Sequence, residues 1–488
     1  MKSRDYILIY LNGKRQEVRL PQASMMLADY LREDRLLTGT KIVCAEGDCG
    51  ACSVLRFFSP PGSQKKNVVY EAINSCITTV AQMDGSSLVT VDALAQEDVH
   101  GSPQLSDVQK AMVESNGSQC GFCTPGFVMA LTGLAEKACQ KKCEIGAQQA
   151  KNATTGNLCR CTGYEPIIEA ATKVDYEKHE PLKNRFYSKA QAEDLKKTLR
   201  VPVLLKSDQF KFLAPTQIKD STKFLSQEKD SDIFSGGTDL GVQVNKGKIQ
   251  PKKVLSLHLI PELYQLKSNS QRISVGARVT LEELRKLCED KIPEFAKYLD
   301  IFASPQIKNV ATLIGNMANA SPIGDTSPFL LVVEAVIHVQ GTQGKRKIPI
   351  EKFFLGYRKT ALKKGEVIVS VDFEIPSRQE SFKLYKTSQR KDLDISAVNA
   401  AFRLVWDSKN EKIIKARLAM GGVAATPLRL IKTEKSLLGK KRDGINLEIL
   451  VENLQKEITP LSDLRGSAAF RRVVAEQLMK GFIYEATS

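Results

Sequence analysis

The chain has 488 residues, 42% of them hydrophobic and 26% charged, with a formal net charge of +16 at pH 7. That length exceeds one ordinary hydrophobic core and predicts several domains. No apolar run nears the ~20 residues of a membrane span and no secretory signal opens the chain, which predicts a cytoplasmic protein with no membrane contact.

The surplus lysines are scattered rather than interleaved with aromatics, so nucleic-acid binding is set aside in favour of a basic surface for an acidic partner subunit or anionic ligands. Eleven cysteines in a reducing compartment point away from disulfides. Most of them fall in spaced groups, and metal ligation is the leading explanation.

Residues 5–20 read as a hairpin turning on Asn12-Gly13, both positions needing positive φ. Met25 to Glu33 has helical spacing. Then Cys44, Cys49 and Cys52 stand as C-x4-C-x2-C, with Cys76 further on, the plant-type pattern for a 2Fe-2S cluster. Gly47 and Gly50 let that loop wrap tightly and aim N–H groups at sulfur. Zinc is the competing reading, but zinc sites usually pair short CxxC knuckles and the x4-x2 loop fits them poorly.

From about residue 90 the pattern turns helical. Ser106 and Gln109 form a capping-box pair, with Gly117 ending that helix. Thr124 caps a second helix with Pro125 in its first turn, a third lies near 145–155, and Thr162 with Glu165 opens a fourth. Cys120, Cys123, Cys159 and Cys161 sit at the ends of these helices and can converge on one inorganic centre. Cys139 and Cys143 read as free thiols in a lengthened surface loop, and residues 176–208 have linker composition.

The succession of a ferredoxin-like domain and a QCGFCTPG…NLCRCTGY helical domain resembles the iron–sulfur portion of the molybdenum hydroxylases, the xanthine dehydrogenase and aldehyde oxidase family. The resemblance implies that both cysteine sets carry 2Fe-2S clusters. It also implies that Gln119, otherwise a solvated loop residue, touches the pterin of a neighbouring molybdenum cofactor.

Beyond residue 208, Ser235-Gly236-Gly237-Thr238 follows a strand and suits diphosphate binding, a weak signal alone. No GxGxxG or P-loop occurs. Thr280 and Glu283 cap a helix whose Cys288 reads as an inert core thiol. The stretch from Ser304 to Leu331 resembles the same family's FAD-binding loop. That implies flavin contacts from Ser235, Gly236, Gly237, Thr238, Asp239, Phe302, Thr312, Gly315, Asn316, Asn319, Ser321, Asp325, Ile368 and Lys386, with Gln389 to Asp394 as a mobile loop beside the ring. Two glycines are expected before Asn316, where this chain has Ile314-Gly315. By its residues alone, Lys386 reads as a strand-edge lysine in water.

The fold expected is multidomain α+β. It comprises a plant-ferredoxin-like β-grasp (1–90), a four-helix 2Fe-2S bundle (91–175), a linker (176–208), an α/β FAD-binding domain of the vanillyl-alcohol-oxidase/PCMH type (209–378) and an α/β flavoprotein C-terminal domain (379–488).

The resemblance implies an electron-transfer subunit that binds two 2Fe-2S clusters and FAD, with NAD+ as co-substrate. The molybdenum cofactor is expected on a large partner subunit, in a heterotetramer of two small and two large chains. Purine is the expected substrate class, with aldehydes, other N-heterocycles and a stand-alone reductase as alternatives. No residue here need act as acid or base on substrate, and His100, His179, His258 and His338 read as structural.

Overall fold

Asn12 and Gly13 both take positive φ, 50° and 79°, and fold strand Ile7–Leu11 back on Lys14–Val18. Ile7–Leu11 also pairs in parallel with Ser86–Val89, which continues through Ser53–Phe58 to Glu71–Asn74 in a five-stranded sheet. A helical run over Leu27–Asp34 crosses it, burying Leu27, Tyr30 and Leu31. The computed structural model describes residues 3–63, 67–97, 100–407, 409 and 411–488. They form two compact units, Met1–Pro261 with Ser304–Ala311, and Glu262–Ala303 with Thr312–Ser488.

In the first unit, helices Asp107–Glu114, Thr124–Lys141, Ala147–Thr154 and Glu165–Lys173 form the bundle. The Ser106/Gln109 box is present, but Asn116, at φ 53°, takes the left-handed position expected of Gly117. The second helix begins one residue earlier than expected, so Cys123 rather than Thr124 is its cap. The fourth begins after Tyr164, and Thr162 instead donates its hydroxyl to Cys159 Sγ at 3.3 Å. Cys139 belongs to the long helix, not to a loop, and Cys143 lies just past its left-handed cap at Lys142.

The Lys-rich stretch after the bundle forms helices Leu182–Phe186 and Lys189–Thr198 and strand Val203–Lys206. It is tied to the ferredoxin-like sheet by Gln191 to Ser87 (3.0 Å) and by Tyr10 to Asp194 (2.7 Å). Val203–Lys206 then pairs with Lys211–Ala214, which continues through Lys253–Ser256 to Asp232–Phe234. One apolar core runs through both sheets, joining Ile7, Leu31 and Val54 to Val203, Phe212, Val254 and Val310.

The second unit holds two larger antiparallel sheets beside the two-stranded pair Phe354–Gly356 and Lys359–Thr360. One orders Leu266–Ser268, Arg272–Gly276, Val367–Glu374, Val336–Gly341 and Gly344–Pro349. The other orders Ser381–Thr387, Val398–Trp406, Ile413–Gly421 and Leu428–Arg429, and its core includes Leu450, Leu454 and Met479 from helices Leu447–Glu457 and Ala468–Thr487. Thr280 and Glu283 form a capping box, and Cys288 is buried, its thiol pushed up to about 12 by burial, as an inert core cysteine should be. Among the described residues no helix is long and apolar enough to cross a membrane.

Candidate functional site

Cys44, Cys49 and Cys52 lie on a loop whose turns need left-handed backbone at Ala45, Gly47 and Gly50. The loop closes on Cys44, whose Sγ accepts the N–H groups of Glu46 and Cys49, each at 3.4 Å. Cys76 reaches the same place from the short helix Ser75–Ile77. Cys44 meets the thiols of Cys49 and Cys76, and Cys52 meets that of Cys76. The hydrogen bonds from Cys49 and Cys76 lower the Cys44 thiol, and the same contacts, with burial, raise those of Cys49 and Cys76. Cys49, Cys52 and Cys76 are buried, the last two at 1% and 3% exposure, and Cys44 alone of this set is partly exposed.

The second set is built at helix ends. Cys120 Sγ is 3.7 Å from Cys161 Sγ, and Cys123 is hydrogen-bonded to Cys159. Cys123 is pushed up to about 12, first by burial and then by Cys159. Its edge is more open than that of the first set: Gln119, Cys120 and Cys161 are exposed beside Phe122 at 52% and Leu158 at 42%.

The thiols of the second set meet two by two. Four soft donors so paired, with N–H groups already on sulfur in the first set, fit two-iron clusters better than one zinc.

Of the residues expected at the flavin, Ser235 to Asp239 lie in the first unit. The strand ends at Phe234, and Thr238 starts helix Thr238–Asn245, whose N terminus carries no side-chain cap. Its first-turn N–H groups suit a diphosphate. The two glycines have a further cause: a Cβ on Gly236 would stand 2.4 Å from Val310 O, and one on Gly237 2.1 Å from Gln82 Nε2. Gln82 also donates to Gly236 O at 3.2 Å. At the other end of the helix, Asn245 Nδ2 donates to the carbonyls of Ala45 and Cys76, both at 2.8 Å. One short helix thus joins the expected diphosphate site to the loops of the first cysteine set. Asn245 gave no local sequence signal, because its partners are distant in sequence.

The second unit holds the others. Thr312 caps helix Leu313–Ala318, its hydroxyl accepting the Gly315 N–H at 3.0 Å. Ile314 is buried within that helix and has no positive φ, so its side chain replaces the expected glycine without strain. Asn316 Oδ1 accepts from the Thr326 hydroxyl at 2.6 Å. Phe302, Asn319 and Ser321 are partly exposed, and Ile368 is buried in its strand.

Asp325 is the centre of a buried network. It accepts from Lys386 Nζ (2.7 Å), Ser396 (2.5 Å), Asn399 (2.8 Å) and Tyr298 (3.3 Å). Lys386 is therefore not a strand-edge lysine in water, since its side chain is fully buried. Burial, then Asp325, raises the Tyr298 hydroxyl well above its ordinary range. In the loop expected beside the ring, Arg390 pairs with Asp394 and holds that carboxyl below its usual range.

The four histidines stand outside these sets. His258 bridges Ser256 and Asp84, His179 pairs with Glu136, and His338 with Asp372.

Four family models match in succession: a 2Fe-2S iron–sulfur cluster binding domain over residues 9–81, a [2Fe-2S] binding domain over 90–172, the FAD binding domain in molybdopterin dehydrogenase over 208–377, and the CO dehydrogenase flavoprotein C-terminal domain over 383–486. Xanthine dehydrogenase of Emericella nidulans is 30% identical over 98% of this chain, and xanthine dehydrogenase 1 of Arabidopsis thaliana 29% identical over 94%. The chain spans 38% of the length of each. Among solved structures, a carbon monoxide dehydrogenase from Hydrogenophaga pseudoflava (TM-score 0.53) and quinoline 2-oxidoreductase from Pseudomonas putida 86 (TM-score 0.52) are each 24% identical. Each covers 58% of this chain, over 100% and 98% of its own length. This likeness is one of fold.

Proposed function

We propose, for a chain that belongs through its iron–sulfur and flavin domains to the molybdenum hydroxylase family, the electron-transfer role in a xanthine dehydrogenase. Hypoxanthine or xanthine would be oxidised to urate on a molybdenum-bearing large subunit, in an assembly of two small and two large chains, with NAD+ as acceptor. When bound, two 2Fe-2S clusters and FAD supply one-electron carriage and its conversion to the hydride transfer that NAD+ requires.

The residues of this chain hold, orient and insulate. Cys120, Cys123, Cys159 and Cys161 hold the centre at which electrons enter, with Gln119 toward the partner's pterin. Cys44, Cys49, Cys52 and Cys76 hold the more deeply buried centre that follows. The uncapped turn at Ser235 to Asp239 takes the flavin diphosphate. Phe302, Thr312, Gly315, Asn316, Asn319, Ser321, Asp325, Ile368 and Lys386 take the rest of that cofactor.

The observation that carries this reading is the unequal burial of the two thiol sets. Cys120 and Cys161 are exposed beside Phe122, whereas Cys52 and Cys76 are enclosed. An electron carrier needs one accessible entry and a protected interior. Purine is favoured over an aldehyde or another N-heterocycle by the names that the relatives carry.

The test is anaerobic reduction of the co-purified complex by xanthine with NAD+ present. NADH formation supports the assignment. Turnover of an aldehyde or a quinoline but not of xanthine would move the same role to another hydroxylase. NADH–dye activity from the isolated chain together with no stable complex in the native host would make it a stand-alone reductase.

A further inference from the structure

The Leu158 N–H donates to the Cys49 carbonyl at 3.0 Å, so the backbones of the two cysteine loops are bonded to each other one residue from Cys159. Glycines permit the approach. A Cβ on Gly50 would stand 2.2 Å from Gly156 O, one on Gly126 2.3 Å from Gly50 O, and one on Gly156 2.3 Å from Gln306 Oε1.

Gln306 is wholly buried at this junction. Its Nε2 donates to Asn157 Oδ1 at 2.8 Å and to Ser53 Oγ at 3.4 Å. Asn157 Nδ2 donates to Gly50 O at 3.2 Å, and the Ser53 hydroxyl donates to the same carbonyl at 2.7 Å. One amide therefore ties the residue after Cys52 to the residue two before Cys159. Gln306 belongs by sequence to the flavin-binding stretch, yet Ser304–Ala311 folds into the first unit. The same strap places Asn309 Nδ2 2.8 Å from Ala72 O. Among the described residues Gln306 Oε1 has no protein partner, so the nitrogen makes the amide's hydrogen bonds.

We propose that Gln306 is a positioning residue: it fixes the separation of the two cysteine loops and thereby the rate at which one electron passes between the centres they hold. The step oxidises the centre at Cys120, Cys123, Cys159 and Cys161 and reduces that at Cys44, Cys49, Cys52 and Cys76. No bond forms and no proton moves. The electron comes from the molybdenum-bearing partner of the proposed function, on which this inference rests.

The test compares the holo-complex with its Gln306→Leu, Gln306→Glu and Asn157→Asp variants. After dithionite reduction, electron paramagnetic resonance reads the spin–spin splitting between the reduced centres, and rapid mixing reads their electron exchange. The expected result is full signal from both centres, a changed splitting and a lower exchange rate than wild type, because electron transfer between two centres slows as they separate. Gln306→Glu keeps the shape of the side chain while removing the donor, so it decides the matter if Gln306→Leu loses a centre. Unaltered splitting and rate at full cluster content overturn the proposal. A wild-type complex without two 2Fe-2S signals overturns the functional reading instead. The positioning claim then stands or falls on hydrogen exchange at the Leu158 amide, expected to rise at least about tenfold in Gln306→Leu and overturned if unchanged.

Discussion

Lys386 Nζ lies 2.7 Å from Asp325 Oδ2, and both side chains are buried, at 0% and 9% exposure. Two charges removed from water hold each other only while both are present, so deleting one leaves the other uncompensated. Lys386→Ala is expected to destabilise the second unit by about 3–5 kcal/mol. Lys386→Met combined with Asp325→Asn should cost less than the sum of the two single changes. Thermal unfolding of the holoprotein checks this, and flavin content measured on the same samples reports whether the network also serves the cofactor.

Close backbone approach makes a second prediction. Gly50 and Gly101 both have positive φ, 66° and 78°, but a Cβ meets Gly156 O at 2.2 Å in the first case and nothing within 4 Å in the second. Gly101→Ala should cost only the conformational term of about 1–2 kcal/mol. Gly50→Ala must also push two cysteine loops apart, adding about 1–3 kcal/mol and lowering iron content. Melting temperatures and iron analysis of the two variants separate these effects.

Acid should weaken the junction between the ferredoxin-like sheet and the sheet that follows it. Asp84 is fully buried. Burial alone would raise its pKa, but the bidentate Arg4 pair and the His258 hydrogen bond outweigh it and hold the carboxyl far below its ordinary range. Because the folded state keeps Asp84 ionised where the unfolded chain protonates it, its contribution is complete above pH ~4 and is lost progressively below that. Asp84→Asn should flatten this acid limb, and it should cost about 3–5 kcal/mol at neutral pH by leaving Arg4 unpaired. A pH series of unfolding midpoints for wild type and variant reads both effects.

The features legible in the sequence were those written locally. The Asn12-Gly13 turn, the Ser106/Gln109 and Thr280/Glu283 capping boxes and the short spacings Cys44-Cys49-Cys52, Cys120-Cys123 and Cys159-Cys161 all draw their meaning from residues a few positions apart. Features that depend on distant partners were illegible. Lys386 is buried because Asp325, 61 residues away, meets it. Asn245 and Gln306 look like polar loop or helix residues until the fold brings Cys76 and Asn157 to them. The glycines of Ser235–Thr238 suggested phosphate approach, whereas Gly236 and Gly237 also admit Val310 and Gln82. Ile314 shows the converse, since a departure from the expected glycine pattern cost nothing once the position proved to be buried helix.

The proposed order of the centres can be tested by a single thiol. Cys120→Ala should halve the iron of the chain and stop reduction of the flavin by purine, while NADH oxidation by dyes continues at close to the wild-type rate. Equal loss of both activities would contradict the order.

The central claim is tested most directly by the visible spectrum and metal content of the co-purified complex. The account predicts about four irons and one FAD per chain, from two 2Fe-2S clusters and one flavin, with molybdenum present only when the large partner is. A colourless chain containing zinc and no flavin would contradict it.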